Sequence, residues 1–86
     1  MVESPIREIR RNLGITQREL ASAAGMKASS QISEMEHGLR GISPSLAVLL
    51  ERAHFDVAEI KQKQDAFCEA LRAEVLVKLS EYFHSA

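Results

Sequence analysis

Leu13-Gly14-Ile15-Thr16-Gln17-Arg18-Glu19-Leu20-Ala21, followed by Gly25-Met26 and then by Ile32-Ser33-Glu34-Met35-Glu36-His37-Gly38, decides how this chain folds. Gly14 is the residue type that closes a helix in the left-handed conformation. Thr16 and Glu19 have the spacing of a capping box, in which the hydroxyl accepts from the Glu19 N–H while the carboxylate reaches back to the Thr16 N–H. Leu20, Ala21, Ala23 and Ala24 give the helix so opened a small, close-packing face, and Gly25 ends it. A further helix begins between Ala28 and Ser30, turns Ile32 and Met35 inward as a pair three residues apart, and ends before Gly38. The stretch therefore predicts two short helices joined by a tight turn.

Upstream, Ser4-Pro5 opens a first helix with a hydroxyl cap and a proline whose missing N–H is not needed there. Ile6, Ile9 and Leu13 share its inward face. Downstream, Leu39 to Ser43 forms a loop containing Gly41, and Ser43-Pro44 repeats the opening signal. Leu46, Leu49, Leu50 and Ala53 make the inward stripe of a fourth helix, which stops around His54-Phe55; Asp56 caps the C-terminal segment. The expected division is a domain over residues 1–57 and a C-terminal segment over residues 58–86.

From Val57 to Phe83 there is neither Pro nor Gly. Ile60, Phe67, Cys68, Leu71, Val75, Leu79 and Tyr82 occupy one broad helical side, and around Val75-Leu76-Val77 the pattern is apolar almost all round. Such a helix is about 40 Å long, more than the small bundle before it can cover. The expectation is a second copy of the same segment, pairing through Ile60, Phe67, Leu71, Val75, Leu76, Leu79, Tyr82 and Phe83. Val75, Val77, Leu79 and Phe83 also alternate as a short strand would, and a terminal strand pairing across a dimer is the alternative. The unbroken run Ala66 to Glu74 favours helix.

Composition narrows the classes. Eighty-six residues, 45% hydrophobic and 27% charged, make one small globular domain whose core is marginal alone. Few Gly and Pro favour an all-α fold. No apolar run approaches ~18 residues, so no membrane span is expected. The N-terminal residues lack the basic and apolar regions of a secretory signal. The single Cys68 has no partner for an internal disulfide, which makes a reducing cytoplasm the expected compartment. His37, His54 and His84 are too widely spaced for a metal site, and neither a phosphate-cradling glycine loop nor a nucleophile elbow is present. No enzyme, metal or cofactor is expected.

Two short helices and a tight turn are also the layout in which a second helix enters the major groove of DNA. Charge gives no such hint: residues 1–57 hold seven Lys and Arg against seven Asp and Glu. Gln17 stands at a helix start, where free N–H groups favour a phosphate. Ser and Gln side chains suit base edges and phosphates, and Glu accepts from the cytosine amino group.

Residues 6–57 resemble the phage-repressor and Cro type of helix-turn-helix, the XRE family. The resemblance rests on Leu13-Gly14-Ile15-Thr16-Gln17, Glu19-Leu20-Ala21, Ala24-Gly25-Met26, Ile32-Ser33, Met35-Glu36, Gly38, Pro44 and the helix from Leu46 to Leu50. It implies a lambda-repressor-like bundle of four or five helices that binds an inverted-repeat operator in double-stranded DNA as a dimer and regulates transcription, repressors being typical. It also implies roles. Gln17 meets a phosphate and buttresses the reading helix; Ser29, Ser30, Gln31, Ser33 and Glu34 face base edges; His37 and Arg40 touch the backbone, with Arg18 and Lys27 beside them. Arg10 and Glu36 match a buried ion pair tying the first helix to the third. Glu34 has a plainer alternative, as a solvated residue or a partner for Lys27. The turn is one residue longer than is usual in the family, which leaves the start of the third helix open. The other reading of the whole is an antitoxin-like or adaptor module whose C-terminal segment binds another protein.

Overall fold

Four of the five helices among the described residues start on a side chain that accepts from an N–H of the first turn. The computed structural model describes residues 3–85, with only the backbone of Ser85. α1 (Pro5–Leu13) begins on Ser4, whose hydroxyl accepts from the Ile6 N–H at 3.2 Å. α2 (Gln17–Ala23) begins on the Thr16–Glu19 capping box, with both reciprocal bonds at 3.0 Å. α4 (Pro44–Arg52) begins on Ser43, and α5 (Val57–Ser85) follows Asp56, whose carboxylate accepts from the Glu59 N–H at 3.1 Å. α3 (Ser30–Glu36) is the exception, because Ser29 makes no side-chain cap bond. Its start at Ser30 settles the open register of the long turn.

The helices close around one core of Ile6, Leu20, Ala21, Ile32, Met35, Leu46, Leu50 and Ile60. α3 packs on α1 and α2, while α5 packs on α1 and α4. The sequence places too many apolar residues inside at the helix ends. Leu13 and Ala53, expected inward, are exposed, as is Ala23 of the close-packing face. Each lies at the last residue or cap of its helix, where the axis has already run past the core.

α5 is one unbroken helix of 29 residues, so residues 75–83 are helix and not strand. Its first half belongs to the bundle. Ile60, Gln64, Phe67 and Cys68 are buried, and packing carries the bundle beyond the expected division at 57/58. Ile60 and Phe67, expected to meet a second subunit, instead face their own chain: Ile60 is in the core and Phe67 lies under Gly38. Leu71 is half-buried against the same glycine. Beyond it Val75, Leu76, Val77, Leu79, Tyr82 and Phe83 are all exposed, and the molecule stretches to 50 × 24 × 22 Å. No helix among the described residues is long and apolar enough to cross a membrane.

Candidate nucleic-acid interface

α3 is only seven residues long, so its orientation depends on what holds its inner face. Ile32 and Met35 sink completely into the core. Beside them Glu36 is buried, and its carboxylate is gripped at two points by Arg10 of α1: Nε donates to Oε2 at 2.7 Å and Nη2 to Oε1 at 2.9 Å. Arg10 also donates to the Ile15 carbonyl at 3.2 Å, which fixes the guanidinium across the α1–α2 turn. The Gln17 amide donates to Glu36 Oε1 at 3.2 Å. α1, the start of α2 and the end of α3 thus meet at one carboxylate.

Burial pushes the Glu36 carboxyl toward its neutral form, but the hydrogen bonds from Arg10 and Gln17, with the charge of Arg10, outweigh it and hold the acid below the usual carboxylate range. The same contact raises Arg10 above its ordinary value. A two-point Arg–carboxylate pair is directional as well as strong, so it sets the angle of α3 against α1. Among the described residues no buried side-chain nitrogen or oxygen lacks a partner.

The opposite side of α3 faces outward. Ser30, Gln31 and His37 are exposed, and Ser29, Ser33 and Glu34 are half-buried. The His37 ring sits over its own helix, with Nδ1 2.7 Å from the Ser33 carbonyl oxygen. In front of α3 the turn opens a shallow hollow of about 420 Å³ that brings Arg18, Ser22, Lys27 and Ser29 together. A neighbouring hollow of about 370 Å³ joins Lys27, Ser30 and Gln31 to Ser45. Ser45 was not among the residues singled out in the sequence. The only signal for it was its place in the first turn of α4, directly after Ser43-Pro44.

Charge on this side is mixed. Glu34 pairs with Arg40, 3.4 Å away, and not with Lys27. Arg11 of α1 pairs with Glu3 at 2.9 Å. Arg18 and Lys27 are exposed at the hollow, and Glu36 is withdrawn into its pair with Arg10. One acid of α3 is thus buried in an ion pair with Arg10 and the other shares its charge with Arg40, which leaves Arg18 and Lys27 as the exposed charges at the hollow.

Gln64 is the second residue the sequence reading missed. It is completely buried on α5, where its amide nitrogen donates to the Met35 carbonyl at 2.7 Å and to the Arg40 carbonyl at 3.0 Å. Its amide oxygen accepts from the Ser4 hydroxyl at 2.8 Å. The visible signal was a polar residue on the same helical face as Ile60, Phe67 and Cys68. Among the described residues no group of three or more His, Cys, Asp or Glu is placed to hold a metal ion.

A helix-turn-helix family model matches residues 6–55, from the first turn of α1 to just past α4. Comparison with characterised proteins gives no match, nor does comparison with solved structures. The matched span is more than half of the chain and contains the whole α2–turn–α3 unit with the Arg10–Glu36 pair behind it. The chain belongs to the XRE-type helix-turn-helix family, whose members are DNA-binding regulators.

Proposed function

We propose that this protein is a sequence-specific transcriptional regulator that binds an inverted-repeat operator as a homodimer, with α3 in the major groove. The observation that carries the reading is the division of α3 into two sides: Ile32, Met35 and Glu36 are locked inside, while Ser30 and Gln31 stand exposed in front. Ser29, Ser30, Gln31, Ser33 and Glu34 read base edges. Gln17, Arg18, Lys27, His37 and Arg40 meet the phosphates around them, Gln17 with its amide already oriented by Glu36. Arg40 exchanges Glu34 for a phosphate on binding, which releases Glu34 toward a cytosine amino group.

Two such short helices gain affinity by being linked, and the exposed end of α5 supplies the link. It borders an apolar groove of about 680 Å³ that runs from Gly38 and Leu39 along Leu71, Leu76 and Leu79. Selection from random duplexes at low salt tests the reading. An enriched inverted repeat, bound less tightly as salt rises, supports it; no enriched motif overturns it. The apolar end of α5 also favours the second reading, an antitoxin-like or adaptor module that docks another protein, and failure of the selection with intact folding would leave that reading standing.

A further inference from the structure

We infer that Gln64 is a positioning residue for the phosphate contact of Arg40, an inference that rests on the DNA-binding reading above. An amide has one oxygen and one nitrogen with two N–H donors, and here each is committed. The Met35 and Arg40 carbonyls can only accept, so the amide nitrogen faces them and Oε1 accepts the Ser4 hydroxyl hydrogen at 2.8 Å. That fixes which end of the amide is the nitrogen. The two N–H groups then reach the Met35 carbonyl at 2.7 Å and the Arg40 carbonyl at 3.0 Å. One side chain of α5 thereby holds the last turn of α3 and the loop after it at a set separation.

Two further contacts act on the same loop. The Cys68 thiol, one turn along α5, donates to the Arg40 carbonyl at 3.4 Å. Gly38 has a φ of 74°, and a Cβ there would collide with Leu71 Cδ1. The loop therefore seats against α5 at Gly38 and is tied to it by its backbone at Arg40. The Arg40 side chain leaves on the other side, exposed, 3.4 Å from Glu34 at the outer edge of α3. Its backbone is held from within while its guanidinium stays free to leave Glu34. A buried amide whose role was only to fill and satisfy the core would cost stability on removal, yet would leave the contact made by Arg40 unchanged.

The experiment is a double-mutant cycle on the full chain with its selected duplex, reading affinity against salt for wild type, Arg40→Ala, Gln64→Met and the double variant. Methionine keeps the length and volume and removes all four hydrogen bonds, the weak one to Cys68 Sγ at 3.6 Å included. Circular dichroism and thermal melting select a temperature at which every variant is folded. Arg40→Ala is expected to lower the slope of log affinity against log salt by about one per subunit, one phosphate contact. Gln64→Met is expected to lower it by a similar amount, and the double variant to bind no more weakly than either single one. A folded Gln64→Met protein with the wild-type slope overturns the inference, as does an Arg40→Ala effect that persists undiminished in the Gln64→Met background. Should Gln64→Met not fold, the cycle is run with Gln64→Leu, where full additivity with Arg40→Ala overturns it equally. The failures are separable. A wild-type chain that selects no duplex refutes the DNA reading, whereas a duplex bound with an Arg40-dependent slope that ignores Gln64 refutes only the positioning role.

Discussion

The two halves of α5 carry the same kind of sequence and meet opposite fates. From Ile60 to Cys68 the apolar face lies against the bundle; from Val75 to Phe83 an apolar face of similar width lies in solvent. Nothing in local propensity separates them, since both are unbroken helix. What differs is the neighbour. The first half crosses α1, α4 and the loop after α3, and there it even buries an amide that ties those elements together. The second half has passed the last turn of the bundle, and His37, Gly38 and Leu39 stand beside its beginning. A periodic apolar stripe thus states that a helix needs a partner, but not whether its own chain supplies one.

Truncating the buried half should have the largest effect. Phe67→Ala removes a large side chain from beneath Gly38 and should cost about 3–5 kcal/mol of folding stability, measured by chemical denaturation. A loss as small as that of a surface substitution would mean that the first half does not belong to the bundle. Acid should come next, acting on the bundle and not on the projecting end. Glu36 sits below the usual carboxylate range when folded and within it when unfolded. Its stabilising contribution is therefore present above that range and is lost as pH falls through its lowered value. The exposed capping carboxylate of Glu19 is shifted in the same direction by its bonds to Thr16, so part of the dependence belongs to it. Thermal melts between neutral and acid pH should show a falling midpoint, and Glu36→Gln should start lower and flatten the curve. An unchanged slope in Glu36→Gln would remove Glu36 as the source.

How legible each region was depends on how far its partners lie along the chain. Helix starts were readable because the decisive bond spans only two or three residues: Ser4 to Ile6, Thr16 to Glu19, Ser43 to Leu46 and Asp56 to Glu59. Gly14 and Gly38 were readable because only a left-handed residue ends those turns. Gln64 was not, since its three oxygen partners are 60, 29 and 24 residues away and no local rule connects them. The pairing of Glu34 with Arg40 was not visible at a distance of six residues, because Arg40 comes within reach only after the chain has turned at Gly38. The roles of Ile60 and Phe67 were missed for the reason that separates the two halves of α5: the pattern found the face, and only the fold found what covers it.

The smallest effect on stability should come from the projecting half, and it separates the two halves most sharply. Leu79 is 61% exposed and lines only the outer end of the apolar groove. Within one chain Leu79→Ala removes few contacts, so at a concentration low enough to keep the protein monomeric its folding free energy should stay within ~0.5 kcal/mol of wild type. At higher concentration the outcome depends on whether a second copy covers this face. Sedimentation of the wild type should then show a monomer–dimer equilibrium, and Leu79→Ala should shift it toward monomer, because the lost methyls would have been buried between chains. The melting temperature of the wild type should rise with concentration for the same reason, and that of the variant should rise less. A wild-type chain that stays monomeric at every concentration would leave the exposed face to a different partner. A Leu79→Ala variant as destabilised in the monomer as Phe67→Ala would erase the distinction between the halves altogether.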